Sequence, residues 1–261
     1  MFHGNAVPPE RRAFLDAAVR LATADAPDVV CLQELPLWSL PHLAAWSDMT
    51  AVGDEAAPPR IGPIPSTPAI GRVLTDVNHG LLRSAFTGQG TAILLSPELR
   101  VTEHRVVVLN AASFRRREAR RLRLDVVARL SWSKERRICQ VVRVVRGGGT
   151  FVIANVHVNG SRDKRIPGSE LSRAAAFVDG FAEPDEPIVL AGDFNLSLTN
   201  SSVLRDLVTA EWGFGGATPQ GIDHVLVRGI EATPPVRWPI ERRRVDGRLL
   251  SDHAPVERTV G

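Results

Sequence analysis

Four short stretches of this 261-residue chain set acidic, amide or imidazole groups at the edge of an apolar run. The first, Val29-Val30-Cys31-Leu32-Gln33-Glu34, ends on a carboxylate. A carboxylate at the C-terminal end of a strand points into the loop region, where oxygen ligands can hold a hard cation. Taken alone, Glu34 reads more often as a solvated strand end. The second, Ile153-Ala154-Asn155-Val156-His157-Val158-Asn159, spaces Asn155 and His157 two residues apart, so they share one face of a strand. His157 there is either a satisfied core histidine or a proton donor to a leaving oxygen, and this motif alone does not choose.

In the third stretch, Ile188-Val189-Leu190-Ala191-Gly192-Asp193-Phe194-Asn195, Gly192 permits a tight turn after which Asp193 and Asn195 can converge. A carboxylate beside an amide suits orienting a water and hydrogen-bonding a phosphate oxygen; the plainer alternative is an Asx-turn. The fourth is split. Gly221-Ile222-Asp223-His224 offers a carboxylate at a strand start, and Leu250-Ser251-Asp252-His253 an adjacent acid and imidazole before a last strand. Adjacent strand residues face opposite ways, so Asp252 and His253 are expected to do different work: one holding metal, the other reaching phosphate.

The elements that must position these groups follow from periodicity. A helix is predicted over Glu10–Asp25, led in by Pro8 and Pro9 and stopped by Pro27, with Phe14, Ala18, Leu21 and Ala22 on one face. Strands are predicted at Val29–Leu32, Thr91–Leu95, Val101–Leu109, Ile138–Val145, Phe151–Val158, Ile188–Ala191, Ile222–Val227 and Ala254–Glu257, with a hairpin turn at Gly147-Gly148-Gly149. Leu171, Ala174, Ala175 and Val178 mark a further helix. Trp38–Gly90, rich in Pro and Gly, is expected to form long loops with one short helix around Pro41–Trp46. Many strands with interspersed helices suggest two packed sheets with helices outside.

Composition narrows the classes. Apolar residues are 44%, enough for a buried core. No apolar run approaches the roughly 20 residues of a membrane helix, the N-terminal residues lack a secretory pattern, and no apolar membrane-docking hairpin is evident. Cytoplasm is the expected location. Cys31 and Cys139 lie in apolar runs and read as buried free thiols. Lys+Arg exceeds Asp+Glu by only 32 to 29, and the basic residues are nearly all Arg, which a GC-rich genome also produces. Arg115, Arg116, Arg117, Arg120, Arg121 and Arg123 form one cluster and Arg242–Arg244 another. Each suits either a phosphate backbone or a solvated face. Aromatics at 5%, with no tyrosine, leave few base-stacking platforms.

In order, Gln-Glu, Asn-x-His, Gly-Asp-x-Asn, Ile-Asp-His and Ser-Asp-His resemble the endonuclease/exonuclease/phosphatase superfamily, the deoxyribonuclease I-like group and its bacterial members. The likeness runs from Phe2 to Val256. It implies a single domain over 1–261 with an α/β fold: a four-layer α/β sandwich of two mixed sheets packed face to face with outer helices. It further implies metal-dependent hydrolysis of phosphate esters, most simply by a phosphodiesterase or nuclease. Glu34 is then the Mg2+ or Mn2+ ligand, assisted by Asp252. His157 stabilises or protonates the scissile phosphate, Asp193 orients or deprotonates the attacking water, and Asn195 holds a phosphate oxygen. His253 contacts the phosphate, oriented by Asp223. Arg137, in Glu135-Arg136-Arg137, resembles a family arginine that contacts substrate phosphate, and Asn155 joins it on the substrate side.

The chain departs from the family at its start. Members open with an apolar strand ending in an Asn that serves the site, whereas here Phe2-His3-Gly4 matches the segment just after it, and Asn5 is a poor substitute. The first strand is therefore expected to be missing, either because the recorded start lies downstream of the true one or because the protein lacks it. Expected partners are a phosphate-ester substrate, with nucleic acid one candidate, acted on by a monomer. The alternatives are a phosphatase or phosphodiesterase for a small molecule, inositol phosphate or lipid headgroup, and a non-catalytic binding protein.

Overall fold

The computed structural model describes residues 2–3, 14–61, 64–73 and 88–261. The chain divides into two compact units, Met1–Arg100 with Arg237–Pro255, and Val101–Val236 with Val256–Gly261.

The first unit is built on a mixed sheet ordered β1-β2-β6-β3. Its strands are β1 (Phe2–His3), β2 (Val29–Leu35), β3 (Thr50–Ala57) and β6 (Gln89–Leu95), with β4 (Arg60–Ile61) and β5 (Ile64–Pro65) forming a separate hairpin. β1 pairs parallel with β2 through Phe2↔Leu32 and His3↔Gln33, so two residues occupy the place where the first strand was expected to be missing. Gly4 and Asn5 lie outside the described residues. Every residue of β6 is buried, as befits a strand flanked on both sides. α1 (Leu15–Thr23) buries Leu15, Ala18 and Val19, the i, i+3, i+4 stripe that covers a core shared with Val30, Leu32, Leu43, Leu94 and Leu250. Residues 10–13 of the predicted helix lie outside the described residues.

Trp38–Gly90 is not only loop. After a 3-10 turn at Leu37–His42 and α2 (Leu43–Ser47) comes the eight-residue β3. It carries Gly, Asp, Glu and three alanines, a composition that hides a strand from propensity. As an edge strand, half exposed and, among the described residues, paired only with β6, it tolerates those residues.

The second unit has a five-stranded mixed sheet ordered β11-β10-β9-β8-β7. The strands are β7 (Arg100–Val108), β8 (Ile138–Arg146), β9 (Gly149–His157), β10 (Ile188–Asp193) and β11 (Asp223–Arg228). β8 and β9 join through Gly147 and Gly148, both at positive φ (56° and 87°), the conformation that a two-residue hairpin of right-handed twist requires. β9 and β10 run parallel, so they need a crossover. That crossover is α5 (Arg165–Asp179), which packs Leu171, Ala174, Ala175 and Val178 onto Val152, Ala154, Val156 and Leu190 of the sheet.

Three helices here carried no sequence expectation: α3 (Ala112–Arg121), α4 (Val126–Ser133) and α6 (Ser202–Leu207). α3 is so rich in arginine that its apolar stripe reduces to Phe114 and Ala119. α4 and α6 are short, and what starts them is a cap. Asp125 accepts the Ala128 N–H (2.7 Å) and Ser201 that of Leu204 (3.1 Å). Both thiols are free and buried, as expected, and burial pushes the Cys31 thiol up to about 11.

Candidate active site

In the second unit, strand register sets the chemistry. β9 turns Val152, Ala154 and Val156 toward α5, so Asn155 and His157 face the opposite side of the sheet. The same alternation sends Ile188 and Leu190 of β10 inward and leaves Asp193 on the face of His157. Asp193 is the Cα partner of His157 on one side and of Asp223 on the other. Three adjacent strands thus set an imidazole and two carboxylates side by side, with neighbouring strands about 4.8 Å apart. His157, Asp193 and Asp223 are all buried, and Asn155 is fully so, in register with Gln140 and Ala191.

Hydrogen bonds fix the turn after β10. Asp193 Oδ1 accepts the Asn195 N–H at 2.8 Å, and its Oδ2 accepts the Asn195 amide at 3.0 Å. Asn195 Nδ2 also donates to the Val158 carbonyl at 3.2 Å. The segment is an Asx-turn, and the bonds that close it also fix the direction of the Asp193 carboxylate. Asn195 sits at φ 50°, a left-handed conformation that asparagine tolerates better than most residues. Gly192 is at φ 152°, where a Cβ would stand 1.8 Å from the Val156 carbonyl oxygen, so only glycine lets β10 lie this close to β9.

Arg137 enters from the loop before β8. Its Nη1 lies 2.9 Å from His157 Nδ1 and 3.2 Å from Nε2, and its Nη2 pairs with Glu135. Its own N–H donates to Asn110 Oδ1 at 2.9 Å. His157 Nε2 stands 3.6 Å from Asp193 Oδ2. The imidazole thus has a cation on one side and a carboxylate on the other. A guanidinium only donates, so a ring nitrogen that receives it is unprotonated.

The pair Asp223-His224 separates across the sheet. Asp223 is on the face of Asp193, while His224 is fully buried on the other. His224 Nδ1 accepts the Thr218 N–H (2.9 Å), so its Nε2 carries the proton and donates to the Leu196 carbonyl (2.8 Å). Burial holds its pKa below the ordinary imidazole value, making it a neutral strut behind the Asp193–Asn195 turn.

Two supporting residues escaped the sequence reading. Lys164, one of only two lysines, donates from Nζ to the Asn195 carbonyl at 2.9 Å. Glu170 is fully buried in α5 and accepts the Trp132 indole N–H (2.5 Å) and the Asn159 N–H (2.6 Å). Burial pushes its carboxyl up to about 7, against the lowering effect of those donors and of Arg137 and Arg115. A signal existed: Glu170 falls at i+4 from Ile166 and i−4 from Ala174, an acid in the middle of an apolar stripe, which a helix tolerates only with a buried partner.

The other residues singled out in the sequence, Glu34, Asp252 and His253, lie in the first unit. Glu34, half-buried, sits at φ 54° where the β2–β6 pairing slips between Leu32↔Ala92 and Leu35↔Gly90, a bulge at the strand end. Asp252 is exposed and His253 half-buried in a bend rather than on a strand, and Ser251 Oγ accepts the His253 N–H at 3.3 Å.

The profile of the endonuclease/exonuclease/phosphatase family matches residues 2–253. No curated protein sequence matches this chain. Similar solved structures include an endonuclease/exonuclease/phosphatase from Bacteroides vulgatus, at TM-score 0.66 and 14% identity, covering 100% of this chain and 97% of that one. The catalytic domain of human Nocturnin, solved with a bound sulfate anion, has TM-score 0.63 and 14% identity over 95% of this chain and 86% of its own. The mannosyl-6-phosphatase of Bacteroides thetaiotaomicron has TM-score 0.60 and 14% identity over 94% and 90%. These likenesses establish the fold, a mixed α/β architecture of several sheets with helices. The profile match over nearly the whole chain settles the family: this chain belongs to the endonuclease/exonuclease/phosphatase family, whose members are phosphoester hydrolases.

Proposed function

We propose that the chain is a Mg2+- or Mn2+-dependent phosphodiesterase of the nuclease type, acting as a cytoplasmic monomer in which all of 1–261 works as a single domain. The observation that carries it is the register that lines up His157, Asp193 and Asp223 on one face at neighbouring strand ends, with Asn195 fixing Asp193 and Arg137 set against His157. Asp193 would orient and deprotonate the attacking water, since its carboxylate is held at both oxygens and cannot swing away. His157 would donate a proton or hydrogen bond to an oxygen on which charge develops, with Arg137 adding a fixed positive group beside it. Asn195 would contact a phosphate oxygen by exchanging its bond to Val158 for one to substrate. Asn155 would support the substrate face from within the sheet, and His253 would reach the phosphate.

Glu34 and Asp252 are the proposed metal ligands. Both are carboxylates, the hard oxygen donors that Mg2+ and Mn2+ take, and both lie at the surface end of their segments, half-buried and exposed respectively. A cation held there would supply positive charge against which the negative charge of a phosphate group is stabilised.

The test is turnover of plasmid, abasic duplex, RNA, inositol phosphates and bis-p-nitrophenyl phosphate with Mg2+ or Mn2+. Hydrolysis of at least one substrate, abolished by EDTA and lowered roughly 10²- to 10⁴-fold by His253→Ala, is expected. EDTA-resistant turnover, or full activity in His253→Ala, would refute the proposal.

A further inference from the structure

α3 and α4 form a helical pair whose inner faces are closed and whose outer faces are not. Phe114 and Trp132 meet edge to face (ring centroids 6.2 Å apart) in a cluster with Ala119, Leu124 and Ile166. Trp132 is further pinned by its bond to Glu170. The inward side of α4 therefore cannot turn out to solvent. Its outward side carries Val126, Val127 and Leu130, exposed by 67%, 76% and 61%. At i, i+1 and i+4 these lie on one arc of the helix, and Lys134 follows at i+8. Three aliphatic side chains on a short exposed helix form a local apolar ridge on the outside of a folded domain.

The surroundings of that ridge are cationic. Arg116, Arg117, Arg120 and Arg121 occupy the exposed arc of α3, and Arg123, Arg129, Lys134 and Arg136 are exposed around α4. The acids of the segment are already engaged: Glu118 with Arg121 (2.6 Å) and Arg117 (3.6 Å), Glu135 with Arg137, and Asp125 as the cap of α4. The positive charge is thus left largely uncompensated by its own neighbours.

We infer that the outer face of α3 and α4 docks on the surface of a bilayer containing anionic lipid, with Val126, Val127 and Leu130 entering the headgroup–acyl boundary and the surrounding arginines meeting lipid phosphates. Charge complementarity selects this occupant. A second copy of the chain would bring arginine faces together. A nucleic-acid backbone would satisfy the arginines but leave the aliphatic ridge against phosphate and water, with no aromatic side chain on that ridge to stack a base. An anionic interface satisfies both at once, since basic residues hold the polar layer while short aliphatic groups sink a few ångströms below it. This is peripheral docking, since no helix among the described residues is long and apolar enough to cross a membrane.

Co-sedimentation of the full chain with phosphatidylcholine vesicles, with and without about a third phosphatidylglycerol, tests the inference. Pelleting is expected only with the anionic vesicles and to weaken as salt rises. Arg116→Gln with Arg120→Gln should lower partitioning roughly fivefold for each residue. Val126→Ser, Val127→Ser and Leu130→Ser together should lower it on the order of tenfold while leaving its salt dependence in place. All these side chains are exposed, so both variants should melt with the wild type, and hydrolysis of soluble bis-p-nitrophenyl phosphate should be unchanged. Equal pelleting with neutral vesicles, or wild-type pelleting by either variant, overturns the inference. Retention of labelled duplex DNA through Arg116 and Arg120 without vesicle binding overturns it in favour of nucleic acid. A sedimenting dimer that the serine variant dissolves overturns it in favour of self-association.

Discussion

At the ends of β9 and β10 His157 and Asp193 are held by the regularity of their ladder, whereas Glu34 is held by an interruption of one. His157 and Asp193 are in register, buried and bonded to neighbours that are themselves bonded: Asn195 to Val158, Lys164 to Asn195, Glu170 to Asn159. Glu34 stands half-buried at positive φ in a bulge, a conformation a non-glycine residue keeps at a cost of about 1–3 kcal/mol. The two arrangements suit the different duties proposed for them. Proton transfer and water orientation need a fixed direction over a fraction of an ångström, so ordered strands serve them. A cation ligand must present its oxygen outward past the strand end, and a bulge re-aims a side chain that the pleat would turn aside.

Substitutions can break this contrast. Asp193→Ala removes the group on which the ordered side is centred, and turnover is expected to fall roughly 10²- to 10⁴-fold with the far-ultraviolet dichroism unchanged. Wild-type turnover in this variant would remove Asp193 from the mechanism. On the interrupted side, Glu34→Gln keeps shape and loses charge, so the Mg2+ concentration for half-maximal activity should rise at least about tenfold with little change in saturated rate. If saturated rate falls and the metal requirement does not, Glu34 acts on substrate instead.

Smaller effects sharpen it. Glu170 has its folded pKa raised from 4.5 to about 7, so the folded chain binds this proton more tightly than the unfolded one. Its contribution to stability is complete below pH 4.5 and is lost as pH rises through about 7. Melting temperature should therefore decline from pH 5 to 8 less in Glu170→Gln than in the wild type; parallel profiles would show that Glu170 does not titrate in that window. Last, Glu34→Gly should raise stability by about 1 kcal/mol in urea unfolding, because glycine adopts this φ without strain. A destabilised Glu34→Gly would mean that contacts of the side chain outweigh its backbone cost.

The same contrast explains what the sequence made legible. Asn-x-His could be read because a strand alternates strictly, so spacing alone put Asn155 on one face with His157; that Asp193 lies beside His157 is a matter of strand register, which spacing does not give. The role of His224 was not legible, since adjacency to Asp223 says nothing about which face is solvent or core until the neighbouring helix is known. The place of Glu170 in an apolar stripe signals a buried partner, but nothing local says that the partner is Trp132, 38 residues away. β3 was hidden by its edge position and its alanines, and α4 by a start that rests on one Asp125 cap. Strands buried on both faces announce themselves by composition; elements fixed by one cap or one partner strand do not.

Gly192 carries no functional group, yet it precedes Asp193 as its register partner Val156 precedes His157. Any methyl added there must push the Val156 carbonyl aside and shift one strand against the other. A saturation survey of the chain would then score position 192 as harshly as 193, and a diverging lineage that kept its acid and imidazole but lost this hydrogen-only residue would hold every reagent and have them out of step.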